Sequence, residues 1–158
     1  MNRDFSDMLS ALSGEGAEFL VVGAYALAMH GAPRATGDID IWVRPTPANA
    51  AKVLAALRRF GAPLMGLVAH DLEVPGTVFQ IGVQPSRIDI MTAIDAVGFE
   101  EAWATRVTVE RDGLPIPFID RAFYLRNKRA VGRAKDLADI EALERIVPGG
   151  STPPSALP

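Results

Sequence analysis

The stretch Gly37-Asp38-Ile39-Asp40-Ile41-Trp42-Val43 constrains the fold more than any other part of this chain. Residues 39, 41 and 43 are β-branched and alternate with Asp38, Asp40 and Trp42, a period of two that predicts a strand with both aspartates on one face. Two like charges so placed repel, and a fold carries that cost when a cation neutralises them. The run Ser86-Arg87-Ile88-Asp89-Ile90-Met91 repeats the pattern, with Arg87, Asp89 and Met91 on one face and Ile88 and Ile90 on the other. Paired strands lie ~4.8 Å apart, so Asp38, Asp40 and Asp89 converge on one point if these two strands are neighbours.

The chain has no cysteine and its histidines, His30 and His70, stand alone, which reads as packing or surface rather than ligation. Thiolate chemistry is excluded, and three convergent carboxylates make a hard, all-oxygen donor set that suits Mg²⁺ or Mn²⁺ better than zinc. Mg²⁺ takes few protein carboxylates and fills its other positions with water and phosphate oxygens, which points to a nucleoside triphosphate. Two ions ~3.5–4 Å apart sharing the acids would serve nucleotidyl or phosphoryl transfer.

At 158 residues, with 49% hydrophobic and 22% charged residues, the chain reads as one globular domain over 1–147, followed by a Pro-, Gly- and Ser-rich flexible tail over 148–158. The opening residues are too polar for a signal peptide and no apolar run reaches the ~20 residues of a membrane span, so a cytoplasmic protein with no membrane partner is expected. A net charge of −3 offers nucleic acid no general attraction. Any polyanion needs a local basic patch, and Lys128, Arg129, Arg133 and Lys135 form one.

Around the acidic strands, Phe5, Met8, Leu9 and Leu12 predict a first helix, and the apolar Phe19–Val22 a buried strand. A short helix follows Gly23, and a loop, Ala32–Gly37, leads into the aspartate strand. Thr46 as cap, Pro47 at the first position and Gly61 at the end bound a strong helix. Residues 64–76 read as irregular; 77–83 and 86–94 form a hairpin-like pair of strands. A short helix over 99–106, a hairpin turning at Asp112-Gly113, and helices over 121–132 and 135–147 complete a mixed α/β layer with a small sheet and a helical C-terminal end.

The segment Val21–Val43, a small-residue turn after a strand, then a helix and an Asp-x-Asp strand, with a third acid on a later strand, resembles the signature of the polymerase β nucleotidyltransferase superfamily. It is most similar to the small prokaryotic minimal nucleotidyltransferases and to the AbiEii-toxin-related proteins, which carry the Arg34-x-Thr36-x-Asp38-x-Asp40 form and a C-terminal Lys, Arg and Lys-Asp motif like Lys128, Arg133, Lys135 and Asp136. The resemblance covers most of residues 19–145. It implies a nucleotidyltransferase fold and a Mg²⁺- or Mn²⁺-dependent enzyme that moves a nucleoside monophosphate from an NTP, such as ATP, to an acceptor hydroxyl on tRNA, protein or a small molecule.

By the same resemblance Asp38, Asp40 and Asp89 are catalytic and bind metal. Gly23, Ala24, Arg34, Thr36, Lys128, Arg133, Lys135 and Asp136 hold the nucleotide. Ala24 stands where Gly or Ser is common, which removes a hydroxyl ligand. Plainer roles compete: Arg34 or Arg44 as a salt-bridge partner of Asp40, Arg34 and Thr36 as loop fasteners, Lys135 paired with Asp139, and Trp42 as core packing rather than a base-stacking platform. Two other functions stay open: a nucleotidyltransferase fold kept as an inactive binding module with a cognate partner in a toxin–antitoxin-like system, and an enzyme that modifies antibiotics.

Overall fold

The computed structural model describes residues 1–147; the expected tail over 148–158 lies outside the described residues. Six strands form one sheet, β1 (Phe19–Val22), β2 (Asp38–Val43), β3 (Val78–Ile81), β4 (Arg87–Met91), β5 (Val107–Arg111) and β6 (Leu114–Phe118), in the order β3-β4-β2-β1-β6-β5. The sheet is mixed: β2 runs parallel to β4 and β1 parallel to β6, while β1–β2, β3–β4 and β5–β6 are antiparallel. The helices are α1 (Arg3–Gly14), α2 (Gly23–Met29), α3 (Pro47–Phe60), α4 (Phe99–Ala104), α5 (Arg121–Val131) and α6 (Ala134–Glu144).

Local chemistry explains the element ends. The Asn2 side chain accepts the Phe5 N–H at 3.0 Å and starts α1, a cap not anticipated from the sequence. Thr46 caps α3 through the Asn49 N–H, with Pro47 at the first position, and Gly61 closes it in the left-handed region at φ +87°. The Asp120 carboxylate starts α5 by accepting the Phe123 N–H at 2.8 Å. Within the stretch expected to be irregular, Ala69–Glu73 winds into a short 3₁₀ turn that packs on α3. Strands β3 and β4 are shorter than expected, four and five residues, and α6 begins one residue earlier.

The core lies between the helices and the sheet. Ile39, Ile41, Ile88 and Ile90 are almost wholly buried, as are all four residues of β1. Asn49 pins the entry of β1 to the exit of β2, accepting the Glu18 N–H at 2.7 Å and donating to the carbonyls of Glu18 and Arg44. Trp42 shares the aspartate face and is buried edge-on against Phe99, 5.0 Å between centroids. Its place is core packing, not a platform open to a base. Among the described residues no helix is long and apolar enough to cross a membrane.

Candidate functional site

The parallel pairing of β2 with β4 sets Asp38 beside Arg87, Asp40 beside Asp89 and Trp42 beside Met91. All six side chains therefore share one face, as the period of two requires. Carboxylate oxygens of Asp38, Asp40 and Asp89 lie within 4.8 Å of one another. The sheet thus brings together the acids singled out from the sequence.

Their surroundings differ. Asp38 is tied on both oxygens: the Thr36 hydroxyl donates to Oδ1 at 2.9 Å and the Arg87 guanidinium to Oδ2 at 2.6 Å. Asp89, buried, accepts Arg87 Nε at 3.0 Å and Nη2 at 3.1 Å. The Asp40 carboxylate accepts no hydrogen bond from any described residue. Burial, reinforced by Asp38 and then Asp89, pushes its carboxyl up to about 7. A half-buried acid among acids with no donor of its own is a place for a cation, so the donor set fits a divalent ion.

Gly23 opens α2 at φ +65°, directly against this carboxylate: a Cβ there would sit 2.1 Å from Asp40 Oδ2. Gly23, Asp40, Met91, Asn127, Lys128 and Arg133 are among the residues that line an open cleft of about 280 Å³. Ala24 is buried. One wall of the cleft is thus acidic and the other basic.

The basic wall is built by the turn between α5 and α6. Lys128 Nζ lies 3.2 Å from Asp136 Oδ1, and Arg133 reaches the same carboxylate through Nε at 2.7 Å and its own backbone N–H at 3.2 Å. Asp136 is fully buried, and these bonds, those of Arg133 first, hold its carboxyl down at about 2. Asp136 positions two cations. Lys135 is exposed, contributes to the field at Asp40 and forms no ion pair among the described residues.

Three ion pairs that competed with the functional roles are not found among the described residues. Arg34 does not pair with Asp40; its guanidinium grips Asp139 at 2.9 and 3.2 Å, which also takes Asp139 away from Lys135. Arg44 bonds Glu18 and Glu100 on the far end of β2 and lies over the Phe99 ring. The cation that does meet the acids is Arg87. Its position two residues before Asp89, on the same face of a strand, was the signal in the sequence. Asp139 carried a similar signal, three residues after Asp136 and so on the same buried face of α6. Of the histidines, His30 bonds the Ile119 carbonyl at 2.8 Å, and burial lowers its pKa; His70 is exposed beside Glu73.

No family model matches the sequence, and no curated protein does. Solved structures do match in fold. The lincosamide antibiotic adenylyltransferase LnuA, in its lincomycin-bound form, superposes with a TM-score of 0.61 at 15% identity, over 93% of this chain and 98% of that one. A Thermotoga maritima protein described as a nucleotidyltransferase gives 0.58 at 16% identity, over 90% and 91%. The antibiotic-resistance factor ANT(2'')-Ia gives 0.56 at 14% identity, over 89% of this chain and 80% of that one. The fold is that of the nucleotidyltransferases. Within it, the acid cluster and the facing cations lie on the segments whose motifs resemble the polymerase β superfamily.

Proposed function

We propose that this nucleotidyltransferase-fold protein is a Mg²⁺- or Mn²⁺-dependent enzyme that transfers a nucleoside monophosphate from an NTP to an acceptor hydroxyl. The observation that carries the reading is the acid cluster at the cleft: three carboxylates within 4.8 Å of one another on adjacent strands, one of which, Asp40, lines the same cleft as Lys128 and Arg133. Asp38 and Asp40 would hold the metal, and Asp89 would complete the site or take the proton of the acceptor hydroxyl. A bound divalent cation supplies Lewis-acid stabilisation of the phosphate oxygens and lowers the pKa of the attacking oxygen. Lys128 and Arg133, held ready by Asp136, offset the triphosphate's charge together with the exposed Lys135, so little reorganisation of the two held cations is needed when the substrate arrives. Gly23 leaves room for Asp40 and its ligand.

For the acceptor, a hydroxyl on a small molecule is the first choice. The net charge of −3 is poorly suited to extended RNA contacts. The similar structures include the lincosamide antibiotic adenylyltransferase LnuA, which this chain matches over 98% of its length, and ANT(2'')-Ia in complex with adenylyl-2''-tobramycin.

Thermal unfolding with each of the four NTPs, with and without Mg²⁺ or Mn²⁺, tests the nucleotide site in the wild type and in the double variant Asp38→Asn, Asp40→Asn. Ligand at ~100 times its dissociation constant adds about 2.7 kcal/mol of stability. A metal-dependent rise lost in the variant supports the assignment and starts a labelled-nucleotide screen of small-molecule, tRNA and protein acceptors. No rise with any NTP overturns it.

A further inference from the structure

The one cation in hydrogen-bond contact with the acid cluster, among the described residues, is Arg87, and it does not sit at the edge of the cluster. Its Nη2 donates to both Asp38 Oδ2 and Asp89 Oδ2, bridging the two strands, while Nε takes Asp89 Oδ1. Both oxygens of Asp89 and one of Asp38 are committed to it, and Thr36 takes the other oxygen of Asp38. Asp40 alone is left unengaged. The Arg87 side chain is 28% exposed, so solvent offers it a route out of the cluster.

We propose that Arg87 is a positioning residue that stands in for the metal: its guanidinium neutralises and aligns Asp38 and Asp89 before loading, and a divalent cation enters only by displacing it. The proposal rests on the metal-dependent reading of the site. A planar fork bound to two carboxylates holds them more firmly than a point charge can, and it satisfies the oxygens a metal would use. The protein accordingly accepts two close acids in the metal-free state without opening the sheet, at the expense of affinity for the bare ion. Asp40, outside the fork, is the first carboxylate an entering cation meets. A nucleotide that arrives with its metal adds phosphate ligands to the ion, and the freed guanidinium can turn to phosphate or solvent. By linkage, nucleotide and metal then strengthen one another's binding.

The experiment is a titration with Mn²⁺ alone, read by the loss of the free-ion paramagnetic resonance signal, on the wild type and on Arg87→Gln, Arg87→Lys and Asp40→Asn. Folding of each is checked by circular dichroism and by its melting temperature in EDTA. Arg87→Gln removes the charge and the fork; it is expected to bind Mn²⁺ at least tenfold more tightly than the wild type and to melt lower in EDTA, with the difference narrowing in saturating Mn²⁺. Arg87→Lys keeps charge without the fork and is expected between the two. Unchanged or weaker Mn²⁺ binding in folded Arg87→Gln overturns the proposal while leaving the metal site standing. If wild type and Arg87→Gln bind no better than Asp40→Asn, the metal-dependent reading fails, and this proposal with it. Should Arg87→Gln fail to fold, Arg87→Lys decides by the same comparison.

Discussion

Gly23 and Asp40 occupy one another's van der Waals margin: the Cα of the glycine faces the carboxylate so closely that a single methyl group would fall 2.1 Å from Oδ2. The glycine's φ of +65° adds a second reason for its identity, since a side chain in that region costs ~1–2 kcal/mol. Gly23→Ala is therefore expected to lose about 1–3 kcal/mol of stability and to push Asp40 out of line. Its Mn²⁺ affinity should fall by tenfold or more. Wild-type stability and affinity in that variant would remove Gly23 from the site.

The unengaged acid gives the metal-free protein a pH signature. Asp40 titrates near 7 in the fold against an ordinary value of 3.8. A group raised in this way contributes stability that is fully present below the lower value and is lost as pH rises through the upper one. In EDTA, the wild type is expected to weaken between about pH 4 and pH 7, and Asp40→Asn to lack that component. At about pH 8 the variant should be more stable by roughly 1–2 kcal/mol, discounted for the solvent that reaches the half-buried carboxylate, or a few degrees in melting temperature. Urea unfolding across the range measures both curves; parallel curves would refute the assignment.

Asp136 behaves in the opposite sense. Held at about 2, it contributes stability present above its ordinary value of 3.8 and lost as pH falls toward the lower one. Its removal leaves Lys128, itself buried, without a counter-charge. Asp136→Ala is expected to cost about 3–5 kcal/mol near neutral pH, with part recovered when Lys128→Met is added. A loss below about 1 kcal/mol in urea unfolding would mean that Lys128 finds another partner.

The Arg34–Asp139 pair is expected to be lopsided. Asp139 is 5% exposed and Arg34 32% exposed at the side chain. Deleting the arginine strands a buried carboxylate, whereas neutralising the carboxylate frees an arginine that can reach water. Arg34→Ala should cost about 2–3 kcal/mol and Asp139→Asn about 1 kcal/mol. The reverse order in chemical denaturation would place the burden on the guanidinium.

The strands were legible because burial dictates a period of two, and Ile39, Ile41, Ile88 and Ile90 announce it. That β2 and β4 lie side by side is not legible locally, since strand adjacency depends on non-local pairing that no local pattern encodes. Charge partners are the least legible. Arg34 and Arg44 are near Asp40 in sequence, yet the fold sends them to Asp139 and to Glu18 with Glu100. Long flexible side chains choose partners by where helices dock, and α6 docks 100 residues downstream of the loop that carries Arg34. For Thr36 the sequence supports a nucleotide ligand and a loop fastener equally; its hydroxyl bonds Asp38.

Strands β2 and β4 each divide their labour between two faces, isoleucines inward and acids outward, in one shared register. Substitutions can alter either face by itself, so core packing and chemistry are free to drift apart. An insertion or deletion of a single residue has no such freedom: it would turn the acids into the core and the isoleucines into the cleft together. Lineages of this fold can therefore change what the cleft accepts through point changes and loop length, while the spacing within these two short strands stays fixed.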